Sequence, residues 1–162
     1  MICFFGDSFD ELKKGAMFFL EFIVKCFCYF FIVLLEILPN TILNINYRNF
    51  IFFDHFGPVQ FMAGKGMDVR PHPHIGLATV TYLFDGSIMH RDSEGNIQEI
   101  QPGAMNLMTA GRGIAHSERT PDVQRRDGQQ MLGLQSWIAL PAGSEEIAPS
   151  FQHYAAEALP TV

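Results

Sequence analysis

The sequence predicts an all-β domain, an antiparallel sandwich or barrel, in the part of the chain that follows residue 50. Short apolar runs such as VQFMAGKG and LATVTYLFDG alternate with turn residues, and glycines recur at short intervals from Gly86 to Gly113. Strands of roughly 4–8 residues, interrupted about every 8–12 residues, are typical of sandwiches and small barrels. No stretch between residues 50 and 140 shows the apolar period of an amphipathic helix.

Length, charge and cysteine content limit the classes of function. A chain of 162 residues is long enough for one domain with an appendage. Its net charge of −6 argues against a surface that binds nucleic acid, because phosphate binding requires a basic patch. The three cysteines all lie in the first 28 residues, which argues against a disulfide framework and against a Cys-His zinc site.

The first 46 residues have a different composition from the rest, and we predict that they form a separate, Phe-rich segment. Of 16 phenylalanines, 13 lie at or before Phe56. Residues 16–38, AMFFLEFIVKCFCYFFIVLLEIL, are predicted to be helical. Their uninterrupted apolar core is about half of the roughly 20 residues that a membrane span needs, so we expect no membrane contact. A signal anchor, a helix packed on the domain and a translated upstream sequence remain three interpretations.

The stretch RPHPHIG, residues 70–76, is the first candidate for a functional site. Side chains two residues apart on a strand point to the same face, so His72 and His74 are expected to point together. Pro71 and Pro73 favour an extended backbone and remove two hydrogen-bond donors. The sequence therefore predicts a strand at the edge of a sheet or the rim of a barrel, where a ligand can reach it.

A second stretch, GIAHSERT at residues 113–120, repeats the two-residue spacing with His116 and Glu118. If the two segments cross one cavity, three imidazoles and one carboxylate converge there without a thiolate. Iron(II) suits such a set of ligands, and manganese, nickel, copper and zinc are alternatives. We therefore predict a metal site formed by His72, His74, His116 and Glu118. Two further residues are expected to have structural roles: His90 to hydrogen-bond inside or at the edge of the barrel, and Trp137 to lie in the core.

Both stretches resemble the sequence motifs of the cupin superfamily. GMDVRPHPHIG followed by TYLFDG is similar to the first cupin motif, and GRGIAHSE is similar to the second. The glutamate of the first motif is missing, because its position falls on Ala78 or Thr79. The replacement of that ligand by Glu118, together with FDHFGPVQF, HRDSEGNIQEIQPGAMNLMTAGRGIAHSE and GLQSWIALPA, resembles the pirin family.

The pirin resemblance implies a fold, a metal and a domain organisation. Residues 47–140 would form an N-terminal cupin domain, a jelly-roll barrel of the double-stranded β-helix type. One iron would be bound through the four predicted ligands. Residues 141–162 would begin the connection to a second cupin domain, so we expect the chain to be a fragment with an unrelated N-terminal segment.

The resemblance also implies two functions of different classes. Bacterial pirins are associated with quercetin 2,3-dioxygenase activity, in which Glu118 would accept a proton and the substrates would be a flavonol-like molecule and O2. Animal pirins are non-catalytic, iron-dependent transcription cofactors, which would require a protein partner. An inactive gene fragment is the third alternative. We expect a cytoplasmic location, or a nuclear one if the source is a eukaryote.

Overall fold

The computed structural model describes residues 49–159, and all structural statements below concern that range. The predicted helix at residues 16–38 lies outside it. In chain order the elements are β1 (Phe50–Phe61), β2 (Asp68–His74), β3 (Leu77–Asp85), β4 (Ile88–Asp92), β5 (Ile97–Ile100), β6 (Met105–Thr109), β7 (Ile114–Arg119), α1 (Asp122–Asp127), β8 (Gln129–Ala139), β9 (Ser150–Tyr154) and a 3-10 turn (Ala156–Ala158). None of the helices in this range is long and apolar enough to cross a bilayer.

The strands form two antiparallel sheets, which confirms the predicted all-β fold of the cupin type. The larger sheet has the order β1-β8-β3-β6-β9, and the smaller sheet has the order β2-β7-β4-β5. Most consecutive strands lie in different sheets, as expected for a jelly roll, and β4 and β5 form a hairpin within the smaller sheet. The proline-containing strand β2 lies at the edge of the smaller sheet, as its missing donors require.

A hairpin turn joins β4 and β5. The Asp92 amide donates to the Asn96 carbonyl, and the Gly95 amide donates to the Asp92 carbonyl. Gly95 has a φ of 89°, a region that favours glycine because it has no Cβ. The Asp92 carboxylate accepts from the backbone of Glu94 and Asn96, which fixes this carboxylate at the end of β4.

The two faces of the larger sheet differ in polarity. The face turned away from the smaller sheet carries a buried apolar cluster that includes Val80, Leu107 and Leu134. The face turned toward the smaller sheet is apolar at one end, where Leu83 and Met131 pack against residues of the smaller sheet. Its other end is polar. The interior of the sandwich therefore has an apolar base and a polar layer above it.

Strand β9 lies in the segment that was predicted to begin an interdomain connection. Its residues Ser150–Tyr154 pair with β6 along its whole length and form an edge of the larger sheet. The strand also supplies Phe151, which packs against a small buried cluster around Met108. The predicted boundaries at residues 46/47 and 140/141 stay predictions.

Candidate metal centre

Three histidines meet where β2 pairs with β7. His72 lies directly opposite His116 in the register of the two strands, and His74 is two residues further on the same face of β2. One ligand atom from each of the three imidazoles can be chosen so that all lie within 4.8 Å of one another. His74 and His116 are buried, whereas His72 is half-buried at the rim. The two separate stretches therefore do cross one cavity.

The ring nitrogens of this cluster are free to act as ligands. Both nitrogens of His116 are buried and have no hydrogen-bond partner among residues 49–159. A buried polar atom without a partner costs about 1–3 kcal/mol, so such atoms usually indicate a missing ligand or water. In His72, Nδ1 lies 2.9 Å from the Arg70 carbonyl, which can only accept, so Nδ1 carries the proton. This bond leaves Nε2 of His72 with the lone pair that a metal needs.

Burial favours the neutral form of His74 and His116. The pKa of His116 is lowered to about 3, first by burial and then by repulsion from His72, His90 and His74. The pKa of His74 is lowered by burial and by His72. Neutral imidazole is the form that binds metals. A metal ion would therefore not have to displace a proton from His74 or His116 at pH 7.

Glu118 lies two residues beyond His116 on the inward face of β7. Its Oε1 accepts hydrogen bonds from Gln135 Nε2 at 3.0 Å and from the Thr81 hydroxyl at 3.5 Å. Burial raises the pKa of Glu118, although the bond from Gln135 opposes this shift. Glu118 is not among the three residues whose ligand atoms lie within 4.8 Å. The role of Glu118 as fourth ligand therefore stays a prediction. The structure shows that Gln135 and Thr81 hold its Oε1.

His90 forms the internal hydrogen bond that the sequence predicted, and its partner is Asp92. Nε2 of His90 donates to Asp92 Oδ2 at 2.9 Å, and both side chains are almost fully buried. Burial acts to raise the pKa of Asp92, but hydrogen bonds from His90 and Asn96 outweigh it and the pKa is lowered. The pair lies beside the candidate site, because His90 is opposite Glu118 and Asp92 is opposite His116.

Trp137 lies beside the cluster rather than in a purely apolar core. Its ring centroid is 5.1 Å from that of His74 and 4.6 Å from that of Phe52. The indole Nε1 is buried and has no hydrogen-bond partner within the described part of the chain. A second aromatic contact lies across the cavity, where Phe151 stacks on His90 at 4.3 Å.

Sequence reasoning missed Asp92 and Gln135. The spacing of His90 and Asp92 in HRD repeats the two-residue pattern of the two predicted motifs, so this signal was present. Gln135 could not be found in the same way, because it reaches Glu118 from the opposite sheet.

The donor set fits a divalent metal ion. Imidazole ligands suit iron, nickel, copper and zinc, and an added carboxylate extends the range to manganese. The unpartnered nitrogens of His116 and the fixed tautomer of His72 are what such an ion requires. These three imidazoles would hold the ion.

Comparisons with known proteins identify the family of the chain. The pirin family profile matches residues 36–138. A pirin-like protein from Caulobacter vibrioides is 56% identical over 107 residues, which are 65% of this chain and 37% of the relative. Mouse pirin is 35% identical over 116 residues, which are 71% of this chain and 37% of the relative.

Comparison with a solved structure supports the assignment of the fold. The crystal structure of a quercetin 2,3-dioxygenase from Acinetobacter baumannii is similar with a TM-score of 0.61 and 51% identity, over 65% of this chain and 34% of that chain. The chain thus spans about a third of the length of these relatives. With a family profile that matches more than half of its residues and a cupin-type sandwich that carries the histidine cluster, the chain belongs to the pirin family.

Proposed function

We propose that the chain forms the metal-binding part of an Fe2+-dependent quercetin 2,3-dioxygenase. The observation that carries the proposal is the histidine cluster, in which three ligand atoms lie within 4.8 Å and both nitrogens of His116 are buried without a partner. The similarity to the quercetin 2,3-dioxygenase from Acinetobacter baumannii supports the choice of reaction. The donor set supports a divalent ion, and iron is the ion that the pirin resemblance implies.

The three histidines would bind the metal, and Glu118 would complete the set. Bound iron would supply a Lewis acid for the substrate and the redox chemistry that a reaction with O2 requires. Gln135 would hold Oε1 of Glu118 in place, so that the other oxygen faces the histidine cluster. A hydrogen-bonded partner of this kind orients a ligand and tunes its basicity.

Glu118 would also act as the proton acceptor. A flavonol loses the proton of its 3-hydroxyl before its ring is cleaved, and a carboxylate inside the cavity can take that proton. Burial raises the pKa of Glu118 in the metal-free protein, so a Glu118 carboxylate that loosens from the metal would have a higher affinity for the proton than an exposed carboxylate. The reaction would thus convert the flavonol to its anion and Glu118 to its neutral acid. The retained bond from Gln135 would keep that acid in position.

Aromatic side chains give the cavity a surface that suits a flat substrate. Trp137 and Phe52 lie on the His74 side of the cavity, and Phe151 lies on the His90 side. Apolar and aromatic walls with few polar groups are typical of sites for small aromatic ligands. They would also exclude water from the flavonol anion.

The proposal is tested by O2 uptake and quercetin consumption with the iron-loaded chain, after its iron content has been measured. We expect His72→Ala to abolish both. His153→Ala is the matched control, because it removes an imidazole that lies outside the cluster and bonds to Asn106. Absence of O2 uptake by a chain with full iron occupancy would refute the dioxygenase. It would favour the alternative of an iron-dependent regulatory protein, whose binding to a protein partner would depend on the oxidation state of the iron.

A further inference from the structure

The outer face of the smaller sheet carries a second cleft, on the opposite side from the histidine cluster. Because side chains alternate along a strand, β7 turns His116 and Glu118 inward and Ser117 and Arg119 outward. The neighbouring strand β4 turns Arg91 outward in the same way, directly opposite Ser117. The cleft has a volume of about 530 Å3, and its lining residues are Asp68, Met89, Arg91, Ser117, Arg119, Thr120, Pro121, Asp122 and Arg125.

Positive charge is concentrated in this cleft. The structure describes six arginines, and three of them line it. Arg125 is neutralised by Asp68, since their side chains form an ion pair at 2.6 Å. The guanidinium groups of Arg91 and Arg119 are exposed and make no hydrogen bond or ion pair with any residue between 49 and 159. In a chain with a net charge of −6, this leaves two cations in diagonal positions on adjacent strands, with Asp122 as the one further carboxylate of the cleft.

The other polar groups of the cleft include the Ser117 hydroxyl and two carboxylates, of which Asp68 is paired with Arg125 and Asp122 is not. The Ser117 hydroxyl lies on the same face of β7 as Arg119. Guanidinium groups match the oxygens of phosphate through paired hydrogen bonds, and hydroxyl donors complete such sites. The chemistry of the cleft therefore fits a tetrahedral oxyanion.

We propose that the cleft between Arg91 and Arg119 binds a small molecule that carries a phosphate group, of which inorganic phosphate is the simplest case. A nucleic acid is excluded as the occupant by the negative charge of the rest of the chain, which would repel a polyanion. The site is independent of the proposed dioxygenase, because its residues lie on the other face of the sheet.

The experiment is a titration of the chain with inorganic phosphate at constant ionic strength, followed by NMR of the arginine Nε–H groups. Constant ionic strength is needed because salt screens exposed charges. We expect saturable shifts of the Arg91 and Arg119 signals. The double variant Arg91→Gln/Arg119→Gln should raise the dissociation constant at least about tenfold.

The matched control is the double variant Arg70→Gln/Arg112→Gln. It removes the same amount of charge from two exposed arginines that do not line the cleft. This control should bind phosphate as the unmodified chain does, and far-UV circular dichroism should show that both variants are folded. An equal loss of binding in the control would mean attraction by net charge alone and would overturn the proposal. A linear, non-saturable response of the unmodified chain would overturn it as well.

Discussion

The metal-free protein should lose stability as the pH falls from 8 to 5, because His116 is buried as a neutral imidazole. Its pKa is about 3 in the folded state, against an ordinary value of 6.5. The unfolded chain therefore binds more protons at low pH, so the stabilisation is complete above pH 6.5 and is lost as the pH falls toward 3. At pH 5, which is about 1.5 pH units below the ordinary pKa, the loss from His116 alone is about 2 kcal/mol.

This magnitude depends little on how far the folded-state pKa is lowered. Any value well below 5 leaves His116 neutral in the folded protein at pH 5, and the loss is then set by protonation of the unfolded chain. The lowered pKa of His74 acts in the same direction. The raised pKa of Glu118 acts in the opposite direction, since the folded state then binds the additional proton.

The assay is urea unfolding of the chelator-treated chain at pH 8 and pH 5, beside the variant His116→Gln. The variant lacks the titrating imidazole but retains His74 and Glu118, so the difference between the two pH dependences isolates His116. We expect the free energy of unfolding to fall by about 2 kcal/mol less in the variant. The same pH dependence in both proteins would refute the argument that burial keeps His116 neutral.

Three further predictions concern the metal. Glu118→Gln should lower the affinity for iron at least about 10–100-fold, and His72→Ala should lower it more. Both variants should keep the far-UV circular dichroism spectrum of the unmodified chain. Full iron occupancy in Glu118→Gln would mean that the glutamate is not a ligand. Gln135→Leu should weaken iron binding about tenfold in a chelator competition, because the 3.0 Å bond to Glu118 is lost, and an unchanged affinity would contradict its orienting role. Trp137 is the only tryptophan, and its ring lies 5.1 Å from that of His74, so nickel or copper binding should quench its fluorescence; stoichiometric binding without quenching would place the metal elsewhere.

The sequence predicted the architecture around RPHPHIG because local constraints are strong there. Two prolines in one short stretch allow an extended backbone but not a central strand, and the structure places β2 at a sheet edge. The two-residue spacings predicted which side chains share a face. Local spacing could not predict that His72 lies opposite His116, because this contact depends on the pairing of two strands separated by more than 30 residues. Family resemblance supplied that pairing, and spacing alone could not.

The polar layer of the sandwich shows where a reading by hydropathy alone would fail. In β3, the alternation of LATVTYLF would assign Val80 and Tyr82 to the interior of a sandwich and the threonines to solvent. The structure has the reverse, because Thr81 donates to Glu118 inside the sandwich while Val80 packs in the cluster on the outer face. Both faces of the strand are buried, so hydropathy does not decide the register. The hydroxyl belongs inside because the buried carboxylate needs a donor, and the apolar residues take the face that remains. The orientation of this strand therefore follows from the chemistry of the site, and a change of Thr81 to valine should affect Glu118 before it affects the fold.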